Sequence, residues 1–405
     1  MRGVPSREAR GTVVVLWTGY RAGPWVCRSL AAAGWEVLPV HPRDEGTGRS
    51  TAAWSPRPVP SPTREPERLL AELRTICVEA GAQAVLPVDE DCVRLLAIAG
   101  ADLGPARAIA PTPVQWEALC DKARLGETAR AARVGHPATA LVTAGGIAGP
   151  WPALPSVVKV RGAPAPARAI EVVRVDTASQ RDRAVGRLLG VGLDAVVQEL
   201  LTGPHHTVHC VRGADGFRAV TGRIVRTFPR GAGMPSVFEV DGGEGPAVVA
   251  AHALLDALDY RGPANVQLFE RGGQMLVHDV NLRPPAPVAL AMRAGLDLPA
   301  LGLAAGLGLP LGPEAPIRGG GRYLSLVDEL RALRHRGEAG PADPSALQIL
   351  LDVAEGVISR RVLLDPPLGD PLWIAPVVRA HVPAWARRAV RAARRARAAR
   401  PRASP

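Results

Sequence analysis

Near residue 280 the chain carries side chains that could hold a hard metal ion. In VHDVNLRPP (residues 277–285), Asp279, Asn281 and Arg283 alternate with Val280 and Leu282, so they share one face of an extended segment. Aspartate and asparagine are poor strand formers, and a strand that carries both needs a reason. Asparagine is otherwise absent: the 405 residues contain only Asn265 and Asn281. The longer stretch NVQLFERGGQMLVHDVNLR reads as a hairpin turning at Gly-Gly. A three-residue loop centred on Gly273 sets Gln267 opposite Asp279, whereas a two-residue loop puts them on opposite faces. For Gln267, Asp279 and Asn281 to cooperate, the turn must be odd in length or the hairpin must contain a bulge. Their oxygens would suit Mg²⁺, which is held by one or two carboxylates together with phosphates and water. The same spacing also fits the solvent-facing side of an edge hairpin, and spacing alone leaves both readings open.

A second signal lies in the cations. Of 49 basic residues, only Lys122 and Lys159 are lysines. Lysine is a compact point charge on a flexible stem, and arginine is a rigid fork. A lysine kept among so many arginines marks a place where a guanidinium would not serve, or else a chance survival.

The elements that must position these groups follow from periodicity. Residues 12–40 read strand, loop, helix, strand (TVVVLW, TGYRAGP, WVCRSLAAAG, WEVLPV). PERLLAELRTICVEAG, AQAVLPV and DEDCVRLLAIAG repeat the alternation, which argues for an open parallel sheet. From residue 111 the pattern changes to an α+β region. PTPVQWEALCDKARLGETARAARVG reads as one or two helices, followed by strands such as SVVKVRG, AVVQELL, TVHCVRG and FRAVTGRIVRTF. Past Gly319, RYLSLVDELRALRHRG and PSALQILLDVAEGVISRR read as helical.

Lys159 follows Lys122 by 37 residues, and Gln198-Glu199 in VVQELLTG come 39 residues later. With the Q…D-x-N-x-R hairpin, this order resembles the ATP-grasp superfamily, in particular its carbamoyl-phosphate-synthetase-like carboxylate–amine ligases. AVLPVDED in the first region is similar to their N-terminal domain, and the resemblance spans roughly residues 12–305. It implies an α/β N-terminal parallel-sheet (pre-ATP-grasp) domain followed by a two-lobed α+β ATP-grasp domain. The expected units are 1–110, a lid subdomain over 111–197, a large subdomain with the metal site over 198–318, a helical extension over 319–380 and a basic tail over 381–405. The resemblance further implies ATP and Mg²⁺ (or Mn²⁺) as cofactors. Lys122, Lys159, Gln198, Glu199 and Leu201 would bind ATP, Gln267, Asp279 and Asn281 the metal, and Arg283 would stabilise the transferring phosphoryl group. The expected reaction joins a small carboxylate to an amine through an acyl-phosphate, with release of ADP and phosphate.

Several positions depart from the family pattern. Asp279 stands where it has glutamate, Leu282 where it has proline, and His205 at the ribose-binding glutamate. The lid VRGAPAPARA has only Gly162 as a flexible residue. These substitutions support a second reading, a nucleotide-binding pseudo-enzyme with a regulatory or scaffolding role.

Other signals are weaker. Among His205, His206 and His209, His205 and His209 would share a face only on a helix, and TVHCV reads as a strand, where no single zinc could be ligated by both. TGYRAGPW lacks G-x-G-x-x-G, with Asp44 the one nearby acid for a ribose, and neither G-x-S-x-G nor a P-loop occurs. The five scattered cysteines form no C-x-x-C pair, and the N-terminal apolar run is too short for a signal peptide, so a cytoplasmic protein is expected. The run LDLPALGLAAGLGLPLG is broken by prolines and too short to span a bilayer. Of the net charge of +11, nine units come from the arginines after residue 370, a stretch with no acid. Its end, AWARRAVRAARRARAARPRASP (residues 384–405), could meet an acidic membrane or nucleic acid, but with little apolar surface beyond alanine and Trp385 a solvated extension is the simpler expectation. Residues 320–375 are left open between substrate specificity and homodimer contacts.

Overall fold

The structure is a computed structural model, and it describes residues 10–16, 21–43, 54–100, 102–161, 172–228, 234–334, 345–359, 361–365, 367 and 370. Asp44, the lid segment around Gly162 and the basic tail lie outside these residues.

The first unit grows around β1 (Thr12–Leu16), buried at every position and apolar after Thr12. Such strands belong inside parallel sheets covered on both faces. β2 (Glu36–Pro42), β3 (Arg57–Val59), β4 (Ala82–Pro87) and β5 (Arg107–Ala108) complete a five-stranded sheet of order β3-β2-β1-β4-β5, parallel throughout. The crossovers are α1 (Gly23–Ala32), α2 (Pro66–Glu79) and α3 (Glu90–Ala99). Asp89 starts α3 by accepting the Cys92 N–H, which sets Glu90 at its first turn, beyond the carboxyl end of β4.

α4 (Pro113–Cys120) and α5 (Leu125–Ala131) come next. They were expected in the lid but are built into another core. Trp116, Leu119, Cys120, Leu125 and Ala129 share a cluster with Val208, Val266, Val277 and Leu282. The second sheet, in the region expected to form the lid, begins only at β6 (Thr139–Thr143), followed by β7 (Gly146–Ala148), β8 (Ser156–Val160), β9 (Val172–Val175), α6 (Ala178–Leu189) and β10 (Ala195–Glu199). Its order is β7-β6-β10-β8-β9, antiparallel throughout, over a small core of its own that includes Val158, Val175, Leu188 and Val197.

The third sheet holds β11 (His205–Arg212), β12 (Phe217–Phe228), β13 (Met234–Gly242), β14 (Gly262–Arg271), β15 (Gln274–Asn281), β16 (Arg322–Ser325) and β17 (Val362–Asp365). They run in the order β15-β14-β11-β12-β13-β16-β17. α7 (Pro246–Asp256), α8 (Val288–Ala294) and α9 (Leu298–Leu307) pack around this sheet. The apolar run 296–312 thus yields a short helix, whose Leu298, Leu303 and Ala305 lie in the core joining the parallel sheet to the large one. No single helix among the described residues is long and apolar enough to cross a membrane.

The extension expected to be helical also contributes two strands. Its helices are α10 (Leu326–Arg334) and α11 (Ala346–Ile358), but β16 and β17 lengthen the large sheet before and after them. Tyr323 is buried in the core shared with β1, and Leu324 lies on the other face with Val237, Val362 and Leu364. Burial on opposite faces needs a period of two, which a strand as short as RYLS does not reveal in the sequence. The extension is tied back to the parallel sheet. Buried Arg21, just before α1, donates to Ser325 and Asp328, and Arg28 donates to Asp370 at 2.7 Å.

Candidate active site

The β14–β15 hairpin turns on two residues, Gly272 and Gly273, since Arg271 pairs with Gln274. Both glycines have positive φ (58° and 79°), which a type I′ turn requires. A two-residue turn alone would send Gln267 and Asp279 to opposite faces. The register shifts between Gln267 and Leu268: Leu268 faces Val277, and Gln267 faces Asp279. His278 is the extra residue of a β-bulge, and it restores the pairing. Asn281 then faces Asn265, whose amide donates to Thr207 on β11.

Asp279, Asn281 and Arg283 form a chain along this face. The Asn281 amide donates to Asp279 Oδ2 at 2.7 Å, and its carbonyl oxygen accepts from Arg283 Nη2 at 3.1 Å. Lys122 occupies the turn between α4 and α5 rather than a helix, with Nζ 4.0 Å from Asp279 Oδ1. Arg283 also approaches Glu90, in the first turn of α3, 3.9 Å from its Oε2. Glu90 was not among the expected site residues, although it lies in the quoted AVLPVDED.

From the lid side, Lys159 sits on β8 and is buried. Its Nζ donates to Gln198 Oε1 on β10 at 2.8 Å, and the Gln198 amide donates to Thr139 on β6 at 3.1 Å. Gln198 is itself buried, so its amide holds the lysine. Burial pushes Lys159 down to about 8; the Asp279 carboxylate opposes this and Lys122 adds to it. Both lysines of the chain therefore act electrostatically on one carboxylate.

Residues 200–204 connect the two sheets, with Leu201 partly exposed among them. At this hinge the Glu199 N–H donates to the Ala138 carbonyl at 2.9 Å, and the Glu199 carboxylate accepts from Arg271. Between hinge and lysines lies a cluster that the sequence reading did not assemble. His205 Nε2 and His278 Nε2 are 2.9 Å apart, and His205 stacks on Phe269 with ring centroids 4.1 Å apart. Burial lowers His205 to about 4 and His278 well below its usual value. His136, before β6, is likewise lowered by burial to about 4, and its Nε2 has no hydrogen-bond partner. His205 and His278 converge through the bulge, which strand alternation does not disclose. His209 is fully buried and 5.1 Å from Phe238, so it does not join them. Cys120 is a neutral bystander: burial first, then the carboxylates of Glu90 and Asp279, raise its thiol far above the ordinary range.

The donor set can be tested against Mg²⁺. Gln267, Asp279 and Asn281 are oxygen-bearing side chains, Gln267 is directly opposite Asp279, and Asp279 is 26% exposed. Among the described residues no group of three or more His, Cys, Asp or Glu is arranged to hold a metal ion by itself. One carboxylate and two amides fit a hard cation that takes its remaining ligands from phosphates and water.

No family model and no curated protein sequence matches this chain. Solved structures do. An L-amino acid ligase from Bacillus licheniformis superposes with a TM-score of 0.62 at 16% identity, covering 78% of this chain and 80% of that one. An N5-carboxyaminoimidazole ribonucleotide synthetase from Thermus thermophilus gives 0.57 at 18% identity, with coverages of 76% and 81%. A biotin carboxylase from Campylobacter jejuni gives 0.57 at 14% identity, with coverages of 76% and 74%. At such identities the likeness concerns the fold, and the chemistry must be argued from the side chains.

Proposed function

The fold is that of the ATP-grasp superfamily, and from it we propose that the chain is an ATP- and Mg²⁺-dependent carboxylate–amine ligase. One observation supports this reading most: Lys122 Nζ stands 4.0 Å from Asp279 Oδ1, and the same carboxylate favours the charged form of Lys159, which is buried on the other sheet. Phosphoryl transfer requires positioning and charge neutralisation far more than covalent help.

ATP would lie in the cleft between the lid and large sheets. Its adenine edge would meet the hinge at Glu199 and the Leu201 backbone, and its phosphates would lie between Lys122 and Lys159. Gln267, Asp279 and Asn281 would hold the metal, which when bound supplies positive charge to the phosphate oxygens. Gln198 fixes the Lys159 ammonium by accepting a hydrogen bond from it at 2.8 Å. Arg283, whose Nη2 donates to Asn281, would stabilise the charge that develops as the γ-phosphoryl group leaves ADP. A carboxylate oxygen attacks the γ-phosphorus, and the acyl-phosphate then loses phosphate to an amine. A closed lid would keep water from that labile intermediate.

Single-turnover assays with ATP, Mg²⁺ and a panel of small carboxylates and amines test the proposal. ADP release should depend on the acceptor and disappear in Asp279→Ala. ATP binding without turnover across the panel would overturn the ligase reading and leave the pseudo-enzyme.

A further inference from the structure

In the parallel sheet the chain leaves β1 toward β2 and leaves β4 toward β5, in opposite directions from two adjacent strands. The crossovers also lie on opposite faces. α1 packs with Val13 and Val15, and α3 packs with Val14 and Leu16. Connections that part in this way leave a crevice beyond the carboxyl ends of the two strands, where open α/β sheets take their ligands. The Val88 N–H, which donates to the Leu16 carbonyl at 3.0 Å, marks that end of the pair.

Asp89, Glu90 and Asp91 follow directly. Asp89 and Asp91 are 3% and 5% exposed, whereas the Glu90 side chain is 28% exposed, so Glu90 is the acid that opens to the crevice. Among the described residues its carboxylate accepts no hydrogen bond, and its ion-pair partner, Arg283 at 3.9 Å, is too far for one. The charges of Glu90 and Asp279 both reach the buried Cys120 thiol, so the two carboxylates belong to one site. Along that site the charge alternates: Lys122, Asp279, Arg283, Glu90, with Asn281 bonded to both of the middle two. The row ends in a carboxylate at the mouth of the crevice. Once Arg283 serves a phosphoryl group, as the proposed reaction requires, Glu90 loses its cation. A partly buried carboxylate without a partner is unfavourable, and a positively charged ligand there restores the pairing.

We propose, resting on the ligase reading, that Glu90 binds the amine substrate as its ammonium ion, in the crevice between the end of β4 and Arg283. The substrate class is then a primary aliphatic amine, which is protonated at neutral pH as lysine is. Amines that are uncharged at that pH give Glu90 no cation and bind more weakly. The placement suits the reaction, because the nitrogen waits beside the arginine that meets the phosphoryl group. Glu90 belongs to the parallel-sheet unit, so that unit supplies the reader of the second substrate while the other two sheets hold the nucleotide.

The test uses the full chain with ATP, Mg²⁺ and the panel of small carboxylates. The second substrate is either hydroxylamine, which is uncharged at neutral pH and traps an acyl-phosphate as a hydroxamate, or a primary amine from methylamine to butylamine. Glu90→Gln should raise KM for the alkylamines by about ten- to a hundredfold and change kcat little. Hydroxamate formation should fall by no more than about threefold, because the weak pairing with Arg283 is all that it loses. Glu90→Asp, which keeps the charge, should recover part of the alkylamine loss. An unchanged KM in Glu90→Gln would overturn the proposal. A parallel loss of hydroxamate and amide would do the same, since it would make Glu90 a brace for Arg283. Hydroxamate from the parent without amide from any alkylamine would also count against it. A parent that forms neither product from any acid would instead sink the ligase reading, and this proposal with it.

Discussion

Lys159 and Lys122 present the same charge to the same carboxylate from opposite kinds of surroundings. Lys159 is buried in a strand of the lid sheet, fixed by Gln198, and pushed down to about 8 by the loss of water. Lys122 stands in a turn on the large-sheet side, 20% exposed and 4.0 Å from Asp279. The contrast separates two tasks. On the proposed function, the lysine of β8 would be ordered before a nucleotide arrives, at the cost of a desolvated charge, whereas the turn lysine would keep more of its hydration and follow the phosphates. A negatively charged ligand would relieve the first and merely attract the second.

The largest expected effect lies at the carboxylate they share. Asp279→Asn keeps a hydrogen-bonding partner for Asn281 and removes the charge; single-turnover ADP release should fall on the order of a thousandfold. Next come the lysines, and here the comparison can be broken. Lys159→Met should weaken ATP binding by roughly a hundredfold and Lys122→Met by roughly tenfold, read by calorimetry. Equal losses would mean that burial adds nothing.

A pH series sharpens the same contrast. In the free chain Lys159 loses its proton at about 8, and a bound phosphate favours the charged form. Affinity for ATP should therefore be flat below pH 8 and fall up to about tenfold per unit above it. Lys159→Arg, which stays charged, should bind more weakly throughout but without that break.

The smallest effect is on stability in acid. His136 and His205 are lowered to about 4 and His209 to about 3, chiefly by burial, against an ordinary value of 6.5. The unfolded chain takes up protons below 6.5 that the folded chain refuses, so stability is complete above that pH and declines toward 4. Melting temperatures at pH 5 should lie several degrees below those at pH 7, and His209→Phe should flatten the difference.

Much of the fold was legible from residue types, and the reasons differ by region. Alternating strands and amphipathic helices made the parallel sheet readable, because βαβ units carry both periods in one short stretch. The hairpin was readable as a pair of alternatives. The Gly-Gly turn did close on two residues, and nothing in the local pattern announced His278 as the bulge that puts Gln267 opposite Asp279. A bulge is settled by neighbours on other strands, here β11 and the α4–α5 helices, which the sequence lists far away. The same holds for Trp116 and Leu119, whose apolar faces could have served either lobe, and for Tyr323 and Leu324, whose strand state rests on burial on two sides. The lysines were legible for another reason. Against a background of arginine, composition alone set them apart.

The anchoring of Arg21 by Asp328 has a consequence for how the chain is made. The two residues are 307 positions apart. At about 5–20 residues per second, a ribosome delivers Asp328 roughly 15–60 s after Arg21. Through that interval the parallel sheet must persist with its arginine in water, and the last strands lock a unit that was shaped long before them. A nascent chain halted before residue 328 would therefore hold a first sheet with its seal still open, which makes late elongation the moment at which proteolysis of the N-terminal unit should subside.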